Sequence, residues 1–205
     1  MISIQKPILL SKINRHQAAE TLALAFENFP LFTFLLPEKL KRKEKLMAIF
    51  ESFVRYGLRY GSVYATSPNF EGVAIWFNYE EMNTSLIGYF RCGMFKLLRK
   101  LGLKNSLRFV KTNDYGLELH EKNMPESHWY LLLLGVHPDH QGKGHGTHLV
   151  DDMLKLTQND NWPYWVDTQK EENVFFFEKF GFEVVEVGKI PESDVKHWCM
   201  IKRKT

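Results

Sequence analysis

Leu131–Val150, LLLLGVHPDHQGKGHGTHLV, is the stretch on which the reading of the fold turns. It divides into a buried strand, a glycine-dense loop and the start of a helix. The strand follows from the apolar run Tyr130-Leu131-Leu132-Leu133-Leu134 and Val136, and it stops at Pro138, which has no N–H for a sheet ladder. The helix follows from Leu149, Met153, Leu154 and Leu156, placed at helical spacing. Between them stand Gln141, Gly142, Lys143, Gly144, His145 and Gly146. Three glycines spaced by single residues let the backbone turn tightly and let a large group approach the main chain. The unpaired N–H groups of the helix start, its dipole and the Lys143 charge then favour a phosphate.

The spacing G-x-G-x-G is not the dinucleotide pattern G-x-G-x-x-G, whose third glycine would fall on Thr147. No Gly-Lys-Ser/Thr run makes it a P-loop either. Asp167, after Tyr164-Trp165-Val166, does stand where a ribose-binding acid would sit. Against that, the loop from His137 to Gln141 is too long for a tight first turn, and a series of alternating strands and helices is missing. The dinucleotide reading is therefore a minor one.

Gln141-Gly142-Lys143-Gly144-His145-Gly146 resembles the Q/R-x-x-G-x-G/A pyrophosphate loop of the GCN5-related N-acetyltransferases, the GNAT family, and Leu134 to Pro138 precede it as Leu-Gly-Val-x-Pro. Downstream, Asn173-Val174-Phe175-Phe176-Phe177-Glu178-Lys179-Phe180-Gly181-Phe182 is similar to that family's N-x-x-F-Y-E-K-x-G-F segment. The lead-in His128-Trp129-Tyr130-Leu131 resembles the branch that contains puromycin N-acetyltransferase. The resemblance is sharp over residues 128–187 and only architectural before them. It implies an α/β (α+β) fold in one domain over residues 1–205. Its central mixed, mostly antiparallel sheet has six to seven strands, flanked by helices and splayed between strands four and five.

Composition agrees with one domain: 205 residues, 44% hydrophobic, can bury a substantial core. A net charge of +3 suits an anionic ligand such as coenzyme A and is too weak to argue for nucleic acid. Cys92 and Cys199 stand apart in apolar patterns, so no metal site and no disulfide framework is expected. The opening MISIQKPILLSKIN holds no signal-type apolar region, and no run reaches membrane-spanning length. The expected location is cytoplasmic, without a membrane partner, as a monomer or homodimer.

Before the central motif, the spacing predicts a short strand at Pro7–Leu10 and a helix from a capping box at Asn14 and Gln17 through Glu27, with Ala18, Leu22, Ala25 and Phe26 inward. Asn28–Pro37 reads as a loop that packs its phenylalanines inward, and in the resembled family this connection walls the acceptor pocket. Pro37 to Tyr60 reads as a helix whose charged start, Lys39 to Lys45, is a solvated face. Gly61–Thr66 and Gly72–Phe77 form a hairpin around Ser67-Pro68-Asn69. Thr84 can cap a helix ending near Gly102, and Asn105 another through Leu119. The basic residues here, Arg91, Lys96, Arg99, Lys100, Lys104 and Arg108, suit a membrane surface or an acidic partner, but a structural helix covering the sheet is the reading adopted. After the motif, the pattern gives a strand at Tyr164–Thr168, a helix at Asn173–Phe180 closed by Gly181, and strands at Phe182–Val187 and Val195–Lys202.

By the resemblance, the chain moves an acetyl group from acetyl-CoA to a primary amine of a small molecule by direct attack in a ternary complex. Leu134, Gly135 and Val136 would pair with pantetheine, and Gln141, Gly142, Lys143, Gly144, His145, Gly146 and Thr147 would hold the pyrophosphate. Asn173, Phe176, Phe177 and Lys179 would complete the coenzyme contacts, with Asn173 bordering the reaction centre. A frequent position of the family's carboxylate base falls on Tyr130, whose ordinary pKa of about 10 makes it a poor acceptor. His128, one strand-face period earlier, titrates nearer neutrality and can take the proton directly or through water; Glu126 is a further candidate. The family's thiolate-protonating tyrosine falls on Phe177, so water or another hydroxyl such as Tyr164 would have to act. Two alternatives follow: a coenzyme-A-binding sensor without transfer, and, less favoured, a protein or peptide N-acetyltransferase.

Overall fold

The computed structural model describes residues 6–82 and 86–204. Seven strands form one sheet: β1 (Ile8–Leu9), β2 (Ser62–Ala65), β3 (Gly72–Asn78), β4 (Trp129–Val136), β5 (Tyr164–Thr168), β6 (Glu183–Lys189) and β7 (Lys196–Lys202). Their spatial order is β1-β2-β3-β4-β5-β7-β6. All neighbours run antiparallel except β4 and β5, whose parallel pairing requires the crossover that helix α7 (His145–Leu156) supplies. The mixed sheet is the one the resemblance implies.

Helices cover both faces, because each strand alternates its side chains between them. On one face, Val73, Ile75, Phe77, Tyr130, Trp165, Cys199 and Ile201 meet α1 (Arg15–Ala25), α2 (Pro30–Leu35), α3 (Lys39–Tyr60), α5 (Met94–Leu101) and α6 (Leu103–Asn123). On the other, Ala74, Trp76, Leu131, Tyr164, Val166 and Met200 meet Leu149, Val150 and Met153 of α7 and Val174 and Phe177 of α8 (Glu171–Glu178). Each fully buried Val, Leu, Ile or Phe contributes about 1.5–3 kcal/mol. The two faces thus share the sheet's stability.

Several local expectations change. Asn14 occupies the N-cap position of α1 as expected, but its side chain makes no capping bond to the helix; it accepts from the Ser11 N–H at 3.3 Å, and a 3-10 turn at Lys12–Asn14 leads into the helix. Pro30–Leu35 is a helix rather than a loop, since Pro30 at its first position has the helical φ preset. Arg42 leaves the solvated face expected of residues 39–45: it is buried, and its guanidinium donates to the carbonyls of Leu36 (2.8 Å), Pro37 (3.3 Å) and Glu27 (3.4 Å), satisfying the end of α2. The single helix expected up to Gly102 is two, α4 (Leu86–Arg91) and α5, because Gly93 adopts a left-handed φ of 87°. The expected cap at Thr84 lies outside the described residues, and α6 starts at Leu103 rather than at Asn105.

Candidate active site

The parallel register of β4 and β5 ends at Leu131 opposite Val166, while β4 stays paired with β3 as far as Val136. A bulge marks the parting: Ile75 and Trp76 of β3 face Leu133 and Leu131, so Leu132 is an extra residue on β4. Such an insertion bends its strand and raises the local twist. From there β4 follows β3 away from β5, and the sheet forks.

A cavity of about 190 Å³ fills the fork. Leu131 to Leu134 and Val166 to Gln169 form its two sheet sides, with Asn173 and Phe177 of α8 beyond. Toward the helices its wall is aromatic. Phe26, Phe29, Phe32, Phe53 and Phe109 line it, and most of them meet one another or Phe50 with ring centroids 5.0–6.5 Å apart. These rings come from the α1–α2 connection, α2, α3 and α6.

The polar floor lies where β5 and β7 pass the fork. Tyr130 donates its hydroxyl to Asp167 Oδ2 at 3.1 Å, and Gln169 Nε2 donates to Asp167 Oδ1 at 3.3 Å. Gln169 Nε2 also meets His197 Nδ1 at 2.9 Å, so that nitrogen accepts and Nε2 carries the ring proton in the neutral form. His197 Nε2 is buried without a hydrogen-bond partner, 4.0 Å from Asp167 Oδ1. A carboxylate offers about four acceptor positions, so Asp167 keeps some for a ligand donor.

His120 also lines the cavity, stacked on Trp165 at 4.5 Å. Its Nε2 is 2.6 Å from His128 Nε2, and His128 Nδ1 is 2.5 Å from the Glu126 carbonyl. That carbonyl can only accept, so His128 carries its proton on Nδ1 and receives the Nε2–H of His120. Burial, with His128 beside it, pushes His120 down to about 3. Burial also lowers His128, partly offset by Glu126. His128 is fully buried behind His120 and is not among the lining residues, so it does not meet an acceptor directly.

Tyr164, the candidate hydroxyl, points to the opposite face, where its OH pairs with Thr157 Oγ1 at 2.7 Å. It cannot reach the cavity. Glu126 is exposed and lies outside the lining too. Asn173 does line it, donating to Thr168 Oγ1 at 3.0 Å. Phe177 is buried against Phe176 and Phe182, and Lys179 is exposed just past α8. Cys199, register partner of Asp167, is pushed up to about 12 by burial and by the Asp167 and Glu186 carboxylates. It stays a thiol at neutral pH.

The glycine loop closes the other end of the fork. Gly142 and Gly144 take φ of 73° and 86°, conformations that favour glycine, and Gly144 begins α7 with no side chain capping it. Gln141 donates to the Val136 carbonyl at 3.1 Å and Lys143 to the Asp139 carbonyl at 2.7 Å, which holds the loop against the end of β4. A Cβ on Gly146 would lie 3.6 Å from both Phe176 and Val136 and 3.9 Å from Leu134. His145 is half-buried with Nδ1 unpartnered, and Thr147 is exposed on the same first turn. An uncapped helix start with two left-handed glycines and a lysine fits a pyrophosphate.

Asp167, Gln169, His197 and His120 are the site residues that sequence reasoning did not assemble. Asp167 had one visible signal, a carboxylate directly following the buried run Tyr164–Val166.

Comparison with known proteins agrees with this architecture. Residues 108–184 match the model of the acetyltransferase (GNAT) domain. An uncharacterised N-acetyltransferase of Schizosaccharomyces pombe is 24% identical over 172 residues, covering 81% of this chain and 69% of that protein. A solved protein from Corynebacterium glutamicum, described as histone acetyltransferase HPA2 and related acetyltransferase, aligns over 98% of both chains at 18% identity with a TM-score of 0.64. Arylalkylamine N-acetyltransferase 2 from Aedes aegypti aligns over 97% of this chain and 98% of its own at 14% identity, TM-score 0.61. Residues 108–184 thus resemble a GNAT acetyltransferase domain, and the whole chain shares the fold of solved acetyltransferases.

Proposed function

We propose that the chain transfers an acetyl group from acetyl-CoA to the primary amine of a small molecule with an apolar, aromatic-sized body. The observation that carries this is the forked sheet itself, with an anion cradle at one end and a carboxylate cluster under an aromatic-walled cavity at the other. The Aedes aegypti neighbour, named for arylalkylamines, supports the acceptor class.

Gln141 to Thr147 would hold the pyrophosphate, and the edge of β4 from Leu132 to Val136 that turns from β5 would take the pantetheine. Bound there, acetyl-CoA supplies an activated acyl thioester. Asp167 draws the protonated amine to the floor and accepts its proton, while Tyr130 and Gln169 hold the carboxylate in place. Apolar rings on the other side exclude water and position the body of the amine. Thr168, whose oxygen accepts from Asn173, retains a hydroxyl proton to donate where Phe177 has none. The buried thiol of Cys199 is unsuited to a covalent relay, in keeping with direct attack.

Phe177 favours one second reading, coenzyme binding without transfer. Calorimetric titration with acetyl-CoA, desulfo-CoA and NAD, followed by thiol release over arylalkylamines, polyamines and amino sugars, separates the two. Binding of acetyl-CoA but not NAD, with release for arylalkylamines, is expected. Binding without release for any amine overturns the transferase reading. Lys143→Glu, at an exposed position, should weaken acetyl-CoA about tenfold, or ~1.4 kcal/mol, without lowering thermal stability; unchanged affinity would refute the cradle's placement.

A further inference from the structure

The helices α4, α5 and the first two turns of α6 pack consecutively and leave an unusual outer surface. Among the described side chains, five large apolar ones stand in solvent there: Ile87 (65% exposed), Phe95 (69%), Leu103 (80%), Leu107 (57%) and Val110 (42%). Leu103, Leu107 and Val110 are spaced four and three apart, which puts them on one stripe of α6 that ends at Asp114 a turn later. An isolated exposed leucine needs no explanation, but an exposed stripe on a helix does.

Charge sets this surface apart further. Over residues 86–111 there are seven basic side chains, Arg91, Lys96, Arg99, Lys100, Lys104, Arg108 and Lys111, and no acidic one. Lys100 and Lys111 reach out to Glu44 and Glu192 at 3.2 and 2.6 Å. A fold that needed these helices only to cover its sheet would use the buried residues Leu97, Leu101, Ser106 and Phe109 and leave the outer face polar.

We propose that this face docks on a membrane surface rich in anionic lipid, with the apolar side chains dipping below the headgroups and the basic residues lying among the phosphates. Single-sign charge is complementary to an anionic leaflet, and basic residues interleaved with aliphatic and aromatic tips are the composition of an interfacial helix. A nucleic acid would meet the charges and leave five apolar side chains in water. None of the five lines the cavity at the fork, and none lines the second pocket beside β1 and α7, so they are not recesses for an incoming side chain. No helix among the described residues is long and apolar enough to cross a membrane, so the contact is one of lying on the surface. This departs from the structural-helix reading of the same segment. It is independent of which amine the cavity takes.

The test is flotation of the full chain with phosphatidylcholine vesicles, with and without phosphatidylserine, over a salt series. Binding only to the anionic vesicles, weakening with salt, is expected. Leu103→Ser with Leu107→Ser, and separately Arg99→Glu with Lys104→Glu, should each reduce it about tenfold or more while circular dichroism and melting stay unchanged. Absence of binding to anionic vesicles overturns the proposal. Loss with the charge variant but not with the serine variant also overturns it, because it would show a purely ionic surface suited to an acidic protein or nucleic acid.

Discussion

Tyr130 and Asp167 are joined across the fork of the sheet: the phenol on β4 donates to the carboxylate on β5 at 3.1 Å, one residue past the last position at which β5 pairs with β4. The bond spans the point where the two strands separate. Asp167 therefore lines the cavity at the fork, and Tyr130, at the position where a carboxylate base was sought, hydrogen-bonds a carboxylate from the neighbouring strand.

Asp167→Asn keeps the size and one acceptor oxygen but removes the charge. Turnover should fall about a hundredfold to ten-thousandfold, with affinity for acetyl-CoA and melting temperature nearly unchanged. Steady-state thiol release beside calorimetry checks this. Unimpaired turnover would return the proton to the His120–His128 pair.

The buried pair His120 and His128 makes stability depend on acid. Both are lowered in the fold, His120 to about 3, so the unfolded chain binds their protons first as pH falls. Their contribution is complete above the unfolded value near 6.5 and is lost as pH falls, for His120 down to about 3 at up to ~1.4 kcal/mol per pH unit. Replacing both, His120→Phe with His128→Phe, should flatten the fall in melting temperature between pH 7 and 4. An equally steep fall in the double variant would assign the acid sensitivity elsewhere.

Gly135 lies under α1, where an added Cβ would come within 2.8 Å of Leu22, 3.1 Å of Ala25 and 3.2 Å of Phe26. Gly135→Val should cost about 1–3 kcal/mol in urea unfolding through overpacking. Because Phe26 also lines the cavity, the acceptor KM should rise more than the affinity for acetyl-CoA changes. A stable variant with unaltered KM would show that α1 shifts freely.

Phe177→Tyr places a hydroxyl on the cavity side of α8, at a residue that is 4% exposed. If departure of the thiolate limits turnover, kcat should rise about tenfold or more, within the range a general acid supplies. Stability should drop by about 1 kcal/mol or less if the new hydroxyl finds a partner. No gain in kcat in a folded variant would show that protonation is already met by Thr168 or by water.

The glycine loop could be read directly from the chain because its conformation is decided within a few residues. Left-handed φ at Gly142 and Gly144, the stop at Pro138 and the helix that follows are local consequences of residue type. The same holds for Gly181, with φ of 82° at the end of α8. The central strand was legible from its continuous apolar run and the outer strands from their alternation, and the fork followed from the family pattern of the two motifs.

What the sequence by itself determined is therefore the class of fold, the glycine loop before α7 and the strand that leads into it. Tertiary structure decided the chemistry at the other end. Asp167, Tyr130 and His197 come together only because β4, β5 and β7 adopt one register, and Leu132 bulges where it does only because β3 packs beside β4. His128 looked available at the start of a strand, and it is the packing of α6, with His120 interposed, that closes it off. Contacts between residues tens of positions apart depend on how whole elements pack, and no local propensity specifies them.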